Sequence, residues 1–157
     1  MFSRVLRFVR LPLVLLLIWA ALRFTIGLRG VSYTPRGNAM FSVAAVTVIG
    51  CIIYGAMSYR VGRFSWLGTA LVGAVIGFFA QLLIFTATLV SLAADLNTYF
   101  VHWDALNLPE GARAEMGPAM TARAFGLLFG PLNGAVIALI GRAVFGKLAP
   151  RCDEPAG

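Results

Sequence analysis

Hydrophobic residues in this chain come in long blocks separated by short polar joints. Residues 39–59 and 66–94 contain no charged side chain, and residues 119–146 contain only Arg123 near their start and Arg142 near their end. At a rise of about 1.5 Å per residue, about 20 apolar residues in a helix cross the ~30 Å hydrocarbon layer of a bilayer. Each of these blocks reaches that length. The 66–94 block exceeds it, at about 43 Å, and is expected to tilt or to stand out of the bilayer. A weaker block, residues 11–28, is uncharged from Leu11 to Leu22 and then meets Arg23, which is expected to snorkel toward the interface.

The pattern predicts an all-α, polytopic membrane protein with four transmembrane helices in an antiparallel bundle. Residues 1–10 place Arg4, Arg7 and Arg10 at every third position among apolar residues, which predicts a short amphipathic helix lying in the interface. A charged start before an apolar run also describes a secretory signal peptide. No Ala-x-Ala site follows, so residues 11–28 are expected to be a retained first span. Residues 95–118 form a long loop with a candidate short interfacial helix, and residues 147–157 form a tail.

Composition supports the membrane reading. The chain is 60% hydrophobic and 12% charged, with mean hydropathy +0.87, whereas soluble domains are about 45–50% apolar and about 25% charged. A net charge of +7 would suggest a nucleic-acid partner if it formed one face. Instead the basic residues stand at the ends of the apolar blocks, and nucleic acid is excluded. Arg4, Arg7, Arg10, Arg60, Arg63, Arg142, Lys147 and Arg151 fall on the N-terminal side of a four-span arrangement. Arg23, Arg29, Arg36, Arg113 and Arg123 fall on the other. This bias predicts both termini in the cytoplasm of a bacterial inner (plasma) membrane. Cys51 lies within a span and Cys152 in the tail, at different depths, so no disulfide is expected.

The glycines change the picture further, because helices in lipid associate through close backbone packing and interhelical hydrogen bonds. Thr69, Gly73, Gly77 and Gln81 recur at intervals of four, as do Gly126, Gly130, Gly134 and Ala138. Each set lies on one helix face and predicts glycine-zipper packing between the third and fourth spans. Gln81 and Asn133 fall near mid-depth in antiparallel neighbours. They are expected to hydrogen-bond each other or nearby backbone, since an unpaired amide in hydrocarbon is costly.

Candidate chemistry is sparse. Gly130, Pro131, Leu132, Asn133 and Gly134 would make either a kink or a broken helix whose freed backbone binds an ion or substrate. In the long loop, Tyr99, Phe100, His102 and Trp103 are candidate docking or ligand contacts. His102 with Asp104 is the nearest approach to a metal or acid–base pair. There is no Gly-x-Ser-x-Gly, no His-Glu-x-x-His and no phosphate-cradling loop. No cofactor or metal is expected. The glutamate that small multidrug exporters carry in their first span is missing. So are the second-span acids and arginines of the glutathione-linked membrane enzymes. The expected function is therefore a non-catalytic accessory or structural subunit of a larger membrane complex, with membrane lipids and other membrane protein subunits as partners. A small homo-oligomeric channel or transporter is the alternative.

Overall fold

A computed structural model describes residues 1–31 and 42–149. Among them the order is α1 (Phe2–Phe8), α2 (Arg10–Leu28), α3 (Val43–Arg60), α4 (Trp66–Ala93), a 3-10 turn at Asp104–Leu106, and α5 (Met116–Phe145). Four helices are long and apolar enough to cross a membrane, with Phe2–Leu28 counting as one of them. The chain is an all-α, multi-pass membrane protein whose successive spans run antiparallel. Residues 39–41 of the predicted second span, and residues 150–157 of the tail with Cys152, lie outside the described residues.

Helix starts follow local chemistry. Ser42 and Ser65 cap α3 and α4, their hydroxyls accepting from Ala45 N at 3.1 Å and Gly68 N at 3.2 Å. The fourth span begins at Met116, three residues ahead of the apolar block 119–146. Pro118 is its third residue, where a missing N–H forfeits no intrahelical bond. At the other end of the loop, Leu96 N donates to Ser91 O at 2.7 Å and Asp95 takes a left-handed conformation (φ 50°). This is a Schellman closure of α4.

The N-terminal segment forms the short helix α1, and with α2 it counts as one candidate span, Phe2–Leu28. Helical hydrogen bonding runs through Val9, with Val9 N on Val5 O at 2.9 Å and Leu13 N on Val9 O at 3.1 Å. Pro12 loosens this stretch, because it offers no N–H to the Phe8 carbonyl. Val5, Val9, Pro12, Leu16, Ala20, Arg23 and Gly27 form one buried stripe at helical spacing. Arg23 belongs to that stripe and is 8% exposed. Phe8 packs edge-on against Tyr54 and Phe64, with ring centroids 5.4 and 5.3 Å away.

The tightest contact is between α4 and α5. A Cβ at Gly73 would overlap the Gly134 carbonyl, one at Gly134 the Gly73 carbonyl, and one at Gly77 the Gly130 carbonyl. The two backbones touch. On its other flank α5 meets α3, where a Cβ at Gly141 would stand 2.5 Å from Ile52 O and one at Gly55 would overlap Ala138. The helix runs unbroken through Pro131, so the broken-helix expectation does not hold. The carbonyls freed or loosened by Pro131 belong to a continuous helix pressed against its neighbours.

Gly134→Val is expected to lower stability by about 1–3 kcal/mol or to prevent folding, since the added methyls enter occupied backbone volume. Gly50 has open space beside it, and Gly50→Ala is expected to be neutral or stabilising by up to about 1 kcal/mol. Denaturant titration in detergent, read by circular dichroism, checks both.

Candidate functional site

The α4–α5 seam fixes a register that places two arginines in equivalent settings. Thr69 and Thr88 are nineteen residues apart on α4, and so are Arg123 and Arg142 on α5. In antiparallel helices this equality brings Thr69 to Arg142 and Thr88 to Arg123 simultaneously. Nineteen residues span about 28 Å, close to the hydrocarbon thickness, so one pair stands near each boundary.

At the N-terminal end of the bundle, Arg142 Nη1 donates to Thr69 Oγ1 at 2.7 Å and to Phe64 O at 3.0 Å. Thr69 shares a 2.7 Å hydrogen bond with Ser58 Oγ, which in turn donates to Gly55 O at 2.6 Å. The chain of bonds links α5, α4 and α3. The guanidinium also lies over the rings of Trp66 and Tyr59, 4.3 and 5.1 Å from their centroids. Arg4 Nη2 donates to Gly62 O at 2.8 Å and stacks on buried Phe64, and Arg60 Nη1 donates to Ala149 O at 2.9 Å. The basic residues of this end hold its turns in place.

At the opposite, loop end, Arg123 Nε donates to Thr88 Oγ1 at 3.2 Å, and its Nη2 donates to Phe100 O at 3.1 Å and Ala105 O at 3.3 Å. Thr88 itself donates to Ile84 O at 2.8 Å. Ser91 and Thr98 are joined at 2.7 Å. Residues 98–105 are thereby folded down onto the helices. Tyr99 and Phe100, two of the candidate docking or ligand contacts, are buried. Tyr99 lies under the Arg23 guanidinium at 4.5 Å, and Phe100 faces Phe24 with centroids 6.3 Å apart. Gly27 admits the chain here, for a Cβ on it would stand 2.9 Å from Tyr99 N.

His102 and Trp103 are half-buried, with ring centroids 5.1 Å apart. They line an open cleft of about 530 Å³ with Ser91, Asp95, Asn97 and Arg113. His102 Nδ1 accepts from Asp104 N at 3.3 Å, so the histidine meets the backbone of its expected acid–base partner and not its carboxylate. Among the described residues no three His, Cys, Asp or Glu side chains converge to hold a metal. The Arg113–Asp95 pair, 2.7 Å long, is about 85% exposed on both sides, a setting in which an ion pair contributes about 0–1 kcal/mol.

The two mid-depth amides separate. Gln81 is half-buried with its amide over Gly126, where an added Cβ would lie 2.7 Å from Oε1. Asn133 is exposed on the outward face of α5. It precedes Gly134, and adjacent positions on a helix point about 100° apart, so a neighbour of a seam residue turns away from the seam. The expected Gln81–Asn133 contact is absent. The Gln81 amide lies against Gly126, seven residues or about 10 Å along α5 from Asn133, so depth and azimuth both differ.

Arg142→Met is expected to lower stability by about 1.5–3 kcal/mol, the range for hydrogen bonds to a charged group. Thr69→Val should cost about 1 kcal/mol, and the double variant should lose less than the two together, with coupling of at least about 0.5 kcal/mol. Additive losses in detergent unfolding would contradict the Arg142–Thr69 linkage.

No protein-family model matches the chain, and neither a curated protein nor a solved structure does; the geometry at the two ends of the bundle and on its outward faces is what speaks to function.

Proposed function

We propose that the chain is a non-catalytic accessory or structural subunit of a larger membrane complex, seated in a bacterial inner membrane with both termini cytoplasmic. The excess of Lys and Arg at the N-terminal end supports that orientation. Inside the bundle the polar groups are used for cohesion. Arg123, Arg142, Thr69, Thr88, Ser58 and Ser91 all bond across helices or to the connecting segments. The close small-residue faces of α3, α4 and α5 make a glycine-zipper-like core that serves the same end.

The observation that carries the proposal is Asn133. It lies twelve residues before the end of α5, about 18 Å along the helix from Phe145 and well within hydrocarbon depth. Around it the outward face reads Phe125, Phe129, Leu132, Val136 and Ile140, all exposed. An amide in that stripe offers two donors and an acceptor to lipid, which can satisfy none of them. A transmembrane helix with a hydrogen-bonding side chain or open backbone at the same depth would satisfy it, and such contacts hold helices together in bilayers. The fitting partner is therefore a span of another subunit laid along α5.

A photoreactive residue at Phe129 or Val136 is expected to crosslink the chain to one membrane protein that also co-purifies with it in fixed ratio. Asn133→Leu should weaken that association about 3- to 30-fold, the range for one interhelical hydrogen bond, while leaving the isolated bundle as stable as before. Crosslinks only between identical chains, in a symmetric assembly, would favour the channel or transporter reading instead. A monomer indifferent to Asn133→Leu would defeat both.

A further inference from the structure

At the loop end of the bundle α2, α3, α4 and α5 enclose a cleft of about 190 Å³. Arg23 and Arg123 both line it, with Ser42, Val43, Tyr99 and Ile84 among the other walls. The two arginines are one hundred residues apart in sequence, and the bundle brings them to one opening. No carboxylate is among the described lining residues, and residues 32–41, which lead into Ser42, contain no Asp or Glu. Val43 and Ala44 contribute the first turn of the eighteen-residue α3. In that turn Ala45 N already donates to Ser42 Oγ, and the helix N-terminus as a whole favours negative charge.

We infer that this cleft binds the phosphate group of an anionic ligand. Two guanidiniums and a helix N-terminus make a recurrent phosphate-binding combination, because guanidinium N–H groups match phosphate oxygens and the helix adds positive potential. The depth fits a phosphate at the membrane boundary. Arg123 marks one end of the ~28 Å interval between the two arginines of α5, so the cleft opens where hydrocarbon gives way to headgroups. The walls divide in the same sense, with charge at Arg23 and Arg123 and apolar surface at Val43, Ile84 and Phe100. A phosphate ester on an apolar stem matches this division, and a small soluble phosphate matches its charged half. Arg23 is already held over Tyr99, and Arg123 by Thr88 and two carbonyls. Their head groups are therefore positioned before any ligand arrives, which limits the ordering that binding requires.

The test uses the full chain purified in neutral detergent and titrated with phosphatidylglycerol, with glycerol phosphate, and with sodium chloride at matched ionic strength. Binding is read by native mass spectrometry and by the melting temperature. Saturable binding of one equivalent of either phosphate compound, with no response to chloride, is expected. Phosphatidylglycerol alone would identify a lipid headgroup; glycerol phosphate binding or competing would identify a soluble phosphate. Ala44→Glu places a carboxylate at the cleft on an exposed first-turn position, where a Glu suits the helix N-terminus and the fold should persist. It is expected to weaken binding at least tenfold, as is Arg23→Gln. Binding of equal strength in the wild-type and Ala44→Glu proteins would overturn the inference, as would the absence of saturable binding by both phosphate compounds.

Discussion

Backbone contact between α4 and α5 is the constraint on which the rest of the structure depends. Gly73 and Gly77 face the carbonyls of Gly134 and Gly130 with no room for a side chain. This fixes how far one helix is slid along the other. In lipid there is no exclusion of water to drive the helices together, so dispersion over a close interface must supply much of the attraction. A slip by one residue would turn the glycines off the seam by about 100° and put bulky residues between the backbones. The seam therefore sets position as well as affinity.

Everything polar at the two ends inherits that position. Because Thr69 to Thr88 and Arg123 to Arg142 are equal intervals, one register satisfies both arginines, and each then reaches a carbonyl beyond its threonine. At one end that carbonyl is Phe64 O and at the other Phe100 O. Both phenylalanines are buried. A short turn and a long loop are thus pinned by the same device: a guanidinium takes the backbone, and an aromatic ring fills the gap beneath. A charge near the membrane boundary is expensive if unsatisfied, and here it gains hydrogen bonds that also order the connections.

Much of this was legible in the sequence, and the failures have specific causes. The four blocks and the interval-four glycines predicted the spans and the helices that touch, because length and small-residue spacing act locally on one helix. The buried stripe from Val5 to Gly27 was also present as periodicity. Pro12 falls within that stripe, where it costs only one backbone hydrogen bond. The burial of Tyr99 and Phe100 was not legible. It depends on Arg123 and on Arg23, residues distant in sequence that only the register brings near. Counting residues into a span gives Asn133 only an approximate depth and does not say which way its side chain faces. Its neighbour Gly134 lies on the seam, which is sufficient to turn the amide outward.

Asn133 then differs in kind from the other polar groups at membrane depth. Each arginine of α5 bonds a threonine of α4, and Ser58, Thr88 and Ser91 bond carbonyls within their own helices. Gln81 is tucked against the glycines of α5. A chain that settles its interior polar groups so fully, with no fully buried side-chain nitrogen or oxygen lacking a partner among the described residues, has an amide on its outer face amid Phe129, Leu132 and Val136. Local rules for a lipid-facing surface would place Leu or Val there. Departures from such rules concentrate where a protein has something other than its own stability to serve. The polar groups that build the bundle point inward or to its ends, whereas Asn133 stands on the outward face of α5 among apolar side chains, and the proposed contact with another subunit's helix rests on that difference.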